Sequence, residues 1–269
     1  MKPKLLSVGD RVEEGTFTLH ARFRRSANFT SRGRLVSLVA HEIGAGPVNV
    51  VFDGLDLEKV KTLEVKGDSV HVNGIAFSIS TAQVYDSSMD FCKGRRIPNA
   101  NILWLKYLLT AQAPEKSMAF LLHSGRRGSF RPGFESAMRD QLQLGSDLLI
   151  SGQVQQGIQK LHGCGLGLTP SGDDFIAGLL IALHTAGDRS RPLRDEIYRH
   201  AGGGSLLVAS FLGLAHEGRV NELMRSLLES LINKGQDEIT NAADSLFAVG
   251  ATSGADLCTG LYMGLDRGP

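Results

Sequence analysis

Two stretches of this chain carry the same helix start. Residues 164–183 read CGLGLTPSGDDFIAGLLIAL, and residues 253–265 read SGADLCTGLYMGL. Laid over one another without gaps, 171–183 and 253–265 keep a constant offset of 82, and 6 of 13 positions coincide. The shared residues have a mechanical meaning. Asp174, Gly178 and Ala182 fall four apart, as do Asp256, Gly260 and Gly264, so each helix carries a stripe of small residues leading away from an Asp. Small stripes let two helix backbones approach closely. The expectation is that the two helices pack together and bring both Ser-Gly-x-Asp ends to one pocket.

The first copy opens from a glycine-rich loop. Gly165 and Gly167 allow backbone angles closed to other residues. Thr169 or Ser171 then serves as N-cap, Pro170 suits a first helical position, and Asp173 and Asp174 complement the positive helix end. Beyond Asp174 the residues are apolar or small for more than two turns, so the helix body is expected to be buried. Backbone N–H groups at Gly172 and Gly254, with the hydroxyls of Thr169, Ser171, Thr252 and Ser253, suit an anionic ligand. The plainer alternative is that acidic first turns and Gly/Ala stripes serve dipole and packing needs alone.

Charge is nearly balanced, 29 Lys+Arg against 28 Asp+Glu, and only 6% of residues are aromatic. Neither a nucleic-acid surface nor an acidic-membrane surface is indicated. Three scattered cysteines, Cys92, Cys164 and Cys258, give no disulfide framework and no thiolate zinc site. No apolar run reaches the roughly 18 residues of a membrane span, and the first residues lack a signal-peptide pattern. A soluble, cytoplasmic protein is expected.

The 269 residues suit one large domain or two modest ones. The pattern predicts an α+β chain: a small β-sandwich or barrel-like domain over 1–96, then a mainly α-helical domain over 97–269. Strands are predicted at 16–23, 35–40, 48–52, 61–65, 69–72 and 75–79, separated by turn residues such as Asn73-Gly74. Arg22, Arg24, Arg25, Arg32 and Arg34 form a basic cluster there, read as a solvated rim or as a surface for an anionic partner. Helices are predicted at 100–112, 134–149, 154–161, 191–200, 205–217, 220–233 and 237–248. The loop 123–133 holds Arg126, Arg127 and Arg131, whose guanidinium forks could hold a carboxylate or phosphate.

GLGLTPSGDDFIAGLL and VGATSGADLCTGLYMGL together resemble the AllH (YlbF-like) family, and Ser210-Phe211-Leu212 with Ala215 and Gly218 extends the resemblance between them. It covers 165–265 well and the β half weakly. Where family members can carry His before the second Thr-Ser-Gly, this chain has Ala251. The resemblance implies a subunit of oxamate carbamoyltransferase, acting beside other protein subunits in anaerobic allantoin and purine breakdown. That reaction takes oxalurate and phosphate to oxamate and carbamoyl phosphate, so a small anionic substrate is implied. Such chemistry needs a held phosphate, a polarised carbamoyl carbonyl and preset oxyanion donors. Asp174 and Asp256, with Asp173, Ser171 and Ser253, are the candidate catalytic residues. Asp173, Asp174 and Asp256 could instead hold Mg²⁺. A nucleotide- and Mg²⁺-dependent small-molecule phosphotransferase and a non-catalytic ligand-binding or scaffold subunit are the competing readings, and other protein subunits or a homo-oligomer are the expected partners.

Overall fold

A computed structural model of the chain describes residues 2–267. Nine strands lie in one sheet: β1 (Lys4–Gly9), β2 (Gly15–Arg22), β3 (Ser26–Ser31), β4 (Arg34–Ala40), β5 (Asn49–Asp53), β6 (Thr62–Lys66), β7 (Ser69–Val72), β8 (Ile75–Ser78) and β9 (Gln83–Tyr85). Their order is β8-β7-β6-β2-β3-β4-β5-β1-β9, and the sheet curls into a half-barrel. Neighbours are antiparallel except β4–β5 and β1–β9, which are parallel. The curl closes over Phe17, Phe29, Leu38, Val50, Phe52 and Leu63, all buried.

All six expected strands form, and β1, β3 and β9 join them. β3 (SANFTS) escapes a hydrophobicity search because its interior is polar, yet Asn28 is buried and its Oδ1 accepts the Ser37 hydroxyl at 2.8 Å. Two hairpin turns explain themselves. Asn73 and Gly74 both have positive φ, 51° and 79°, between the paired residues Val72 and Ile75, as a type I′ turn requires. Arg32 and Gly33 do the same between Ser31 and Arg34. Of the basic cluster, Arg34 pairs with Glu13 at 3.1 Å and Arg22 bonds the Val60 carbonyl. Arg24 and Arg25 are solvent-exposed.

Contacts divide the chain into Met1–Ser88 with Arg219–Glu222, and Met89–Gly218 with Leu223–Pro269. The short returning segment is held in the β unit by side chains. Asp10 accepts from the Ser87 hydroxyl at 2.6 Å and from Arg219 at 2.9 Å. The Tyr85 hydroxyl donates to the Val220 carbonyl at 3.0 Å.

The second unit contains α1 (Asn99–Gln112), α2 (Phe134–Ile150), α3 (Val154–Leu161), α4 (Ser171–Thr185), α5 (Arg191–His200), α6 (Leu206–His216), α7 (Glu222–Asn233), α8 (Gln236–Phe247) and α9 (Ser253–Arg267). The Ser205 hydroxyl caps α6 by accepting from the Val208 N–H at 3.3 Å. The start of α4 differs by one residue from expectation. Pro170 itself holds the N-cap place with extended ψ of 145°, and Ser171 is already helical. Its side chain is therefore released from capping and turns elsewhere. Among the described residues no helix is long and apolar enough to cross a membrane.

Candidate functional site

The geometry begins with α4 against α9. A Cβ built on Gly178 would lie 1.9 Å from the Leu257 carbonyl oxygen, and one on Gly260 would lie 2.0 Å from that of Phe175. At both places helix backbone rests on helix backbone. Further along, Gly264 faces Ala182. Residue i thus sits beside residue i+82, and the two helices run parallel and in register.

The same duplication holds for the helix that precedes each one. A Cβ on Gly172 would meet the Leu161 carbonyl of α3 at 1.9 Å, and one on Gly254 would meet the Leu246 carbonyl of α8 at 1.7 Å. Each Ser-Gly therefore has its glycine pressed against the previous helix and its serine turned to the opposite start.

In-register packing places the two aspartates together. Asp174 interacts with the hydroxyls of Ser253 and Thr169, and Asp256 with those of Thr252 and Ser171. The arrangement is reciprocal: each helix supplies a serine to the other's carboxyl. Thr169 and Ser253 hydroxyl oxygens are 3.2 Å apart. Asp256 also accepts the Met118 backbone N–H at 2.5 Å. One oxygen of each carboxyl, Oδ2 in both residues, is buried without a partner.

Burial dominates the electrostatics. Asp256 is fully buried and Asp174 is 3% exposed. Desolvation pushes the Asp174 carboxyl up to about 8, helped by the neighbouring Asp256 charge and opposed by the Ser253 and Thr169 hydroxyls. Desolvation likewise raises Asp256 to about 6, against the Met118 N–H and the hydroxyls of Thr252 and Ser171. The two groups titrate as a pair that retains a proton near neutrality. Two parallel helix N-termini also set their positive ends side by side, and one negative charge between them is what such an arrangement favours.

Asp173 takes a separate role. Its Oδ1 lies 2.7 Å from His162 Nδ1, and its two oxygens receive the Gly163 N–H at 3.2 and 3.1 Å. It ties the loop after α3 to the first turn of α4, and the equivalent position in α9 is Ala255. Among the described residues no three His, Cys, Asp or Glu side chains gather where they could hold a metal ion.

The expected anion donors are largely engaged. Gly172 N–H donates to the Cys164 carbonyl at 2.8 Å, and Gly254 N–H to that of Val249 at 3.2 Å. Asp174 N–H goes to Pro170 at 3.1 Å, and Asp256 N–H to Thr252 at 2.9 Å. Polar groups that reach the surface beside the pair are the half-buried side chains of Thr169, Thr252 and Ser253. Gly165 has a φ of 144° and lies against the Ser171 N–H, while Gly167, with φ of 94°, stands clear.

Of the arginines in the 123–133 loop, Arg126 is committed to another end. Arg126 bonds the carbonyls of Thr110, Ala113 and Pro114 and so caps the C-terminus of α1. Arg127 donates to Gln143 at 2.7 Å, and exposed Arg131 bonds Glu135 through its backbone. Cys164 is buried with its thiol pushed up by desolvation, which suits packing rather than nucleophilic attack.

Sequence reasoning missed Met118 and His162 as partners of the two acidic groups. Met118 contributes only a backbone N–H, which no side-chain pattern encodes. His162 was visible, and its spacing from Asp173 was the available signal.

No solved structure matches the chain. A family model does: residues 161–265, a span that opens on the last residue of α3 and takes in both Ser-Gly-x-Asp helix starts, match the family described as oxamate carbamoyltransferase subunit AllH.

Proposed function

We propose that the chain is one subunit of an oxamate carbamoyltransferase-type assembly, and that its contribution centres on the joined starts of α4 and α9. The observation that carries the reading is where the matched span falls on the structure. The matched span is 161–265, and within it two duplicated helix starts share a buried acidic pair.

In this reading the carboxyls do not touch substrate. Asp174 and Asp256 orient the hydroxyls of Ser253, Thr169, Ser171 and Thr252, and the surface-reaching ones bind a small anion such as phosphate, carbamoyl phosphate or an oxamate-like carboxylate. The proton retained by the pair keeps those hydroxyls supplied with both an acceptor and a donor near neutrality. Arg127 and Arg131, both exposed, are the remaining loop cations available to such a ligand. A Mg²⁺ bound here would have Asp174 and Asp256 as its acidic ligands. Partner subunits complete the site, as the word subunit in the family description implies.

The burial of both aspartates favours one competing reading, a scaffold subunit in which the pair only clamps the helices. Reconstitution separates the two. Co-purified partner subunits are combined with this chain or with Ser253→Ala, and carbamoyl phosphate formation from oxalurate and phosphate is assayed, with and without Mg²⁺. The proposal expects turnover with the wild-type chain and a loss of about tenfold or more in kcat/KM with Ser253→Ala, about 1.4 kcal/mol. Full activity of Ser253→Ala would assign the clamp role alone.

A further inference from the structure

The parallel register of α4 and α9 has a second end. Eleven residues beyond Asp174, about 16 Å along the helix axis, both helices finish together. There, a cleft of about 390 Å³ lies between the ends of α4 and α9 and the start of α1. Its lining includes Arg95, Arg96 and Asn99 on one side, and Thr185, Gly264 and Asp266 on the other.

The two sides are of opposite charge. Arg96 has no ion pair or side-chain hydrogen bond among the described residues, and neither has Asp266. The Arg95 guanidinium makes one hydrogen bond among the described residues, to Asn233 at 2.8 Å, leaving its other donors available. The positive end of α1 adds to the arginine side. The negative ends of two parallel helices add to the Asp266 side. Arg96 and Asp266 line the same cleft without pairing across it.

An isolated anion would meet Asp266 and two helix C-termini. An isolated cation would meet two guanidiniums. A molecule with a charge of each sign satisfies both sides at once. We infer that this cleft binds a small zwitterion carrying a carboxylate and an ammonium group, of amino-acid or dipeptide size. Its carboxylate lies toward Arg95, Arg96 and the first turn of α1. Its ammonium lies toward Asp266 and the ends of α4 and α9. The site is separate from the acidic pair, and its existence does not depend on the transferase reading.

The test is calorimetric titration of the full chain at low salt with glycine and with glycylglycine. Acetate and methylammonium serve as single-charge controls. Saturable binding is expected for at least one zwitterion, about tenfold or more tighter than either control. Arg96→Gln and Asp266→Asn are each expected to weaken it by about tenfold or more. Both side chains are exposed, so the unliganded unfolding temperature should not move. Absence of saturable zwitterion binding at millimolar concentration overturns the inference. Acetate binding as tightly as the zwitterion overturns it too, as does affinity indifferent to either substitution.

Discussion

A carboxyl group removed from water must be neutral, paired or hydrogen-bonded, and Asp174 and Asp256, with no cation beside them, rely on hydrogen bonds and a retained proton. Their raised folded values fix the sign of the pH dependence. Each group contributes stability that is fully present below the ordinary value of 3.8 and is lost as pH rises through its folded value, about 6 for Asp256 and about 8 for Asp174. Stability of the wild-type helical unit should therefore fall between pH 4 and pH 8.5 in urea titrations followed at Trp104. Asp174→Asn should flatten the upper part of that fall, because a neutral amide cannot lose the second proton. A curve unchanged in shape would mean that Asp174 is not the late-titrating group. At pH 7, Asp256→Asn should cost about 1–3 kcal/mol, since an amide N–H₂ cannot accept from the Thr252 or Ser171 hydroxyl as a carboxyl oxygen does.

At the scale of helices, the decisive contact is glycine against carbonyl. Gly→Ala in an exposed helix interior stabilises by up to about 1 kcal/mol. Gly178→Ala and Gly260→Ala should do the reverse, by about 3 kcal/mol or more, because a backbone oxygen cannot move aside as a side chain can. The measurement is the chemical denaturation midpoint, and unchanged midpoints would refute backbone-on-backbone packing. Here the sequence was most legible: four-residue spacing of Asp, Gly and Gly/Ala predicted which helices meet and at which residues. It was least legible in donor allocation. Gly172 and Gly254 were expected to offer N–H groups to a ligand, yet both are bonded to carbonyls of the preceding loops. Periodicity reports which face is buried, whereas the path of a glycine loop decides which carbonyl turns inward. Arg126 misled for a related reason, since a cationic loop residue looks alike whether it awaits an anion or caps α1.

For the molecule as a whole, the α+β class was readable from short alternating runs that give way to helical periodicity. The return of Arg219–Glu222 to the β unit was not. Three residues between α6 and α7 and the first of α7 carry no strand pattern, and their place depends on Asp10, a charge more than 200 positions earlier. That tie can be tested. Asp10→Ala removes the acceptor for the hydroxyl of fully buried Ser87 and the partner of Arg219, and should cost about 1–3 kcal/mol. Hydrogen exchange should quicken at the Val220 amide, which donates to the Ser87 carbonyl, while amides in α4 stay protected. Equal acceleration throughout would point to a single cooperative unit instead.

The offset of 82 between the twin helices also sets a timetable for biosynthesis. A ribosome adding about 5–20 residues per second leaves on the order of 4–16 s between completing α4 and completing the mate it lies against. Over that interval a helix that is apolar or small from Phe175 to Leu183 emerges with Asp174 uncovered and its glycine stripe empty. A newly made chain interrupted within α5–α8 would be left in that state, with α4 open to chaperones or to the same segment of a second nascent copy.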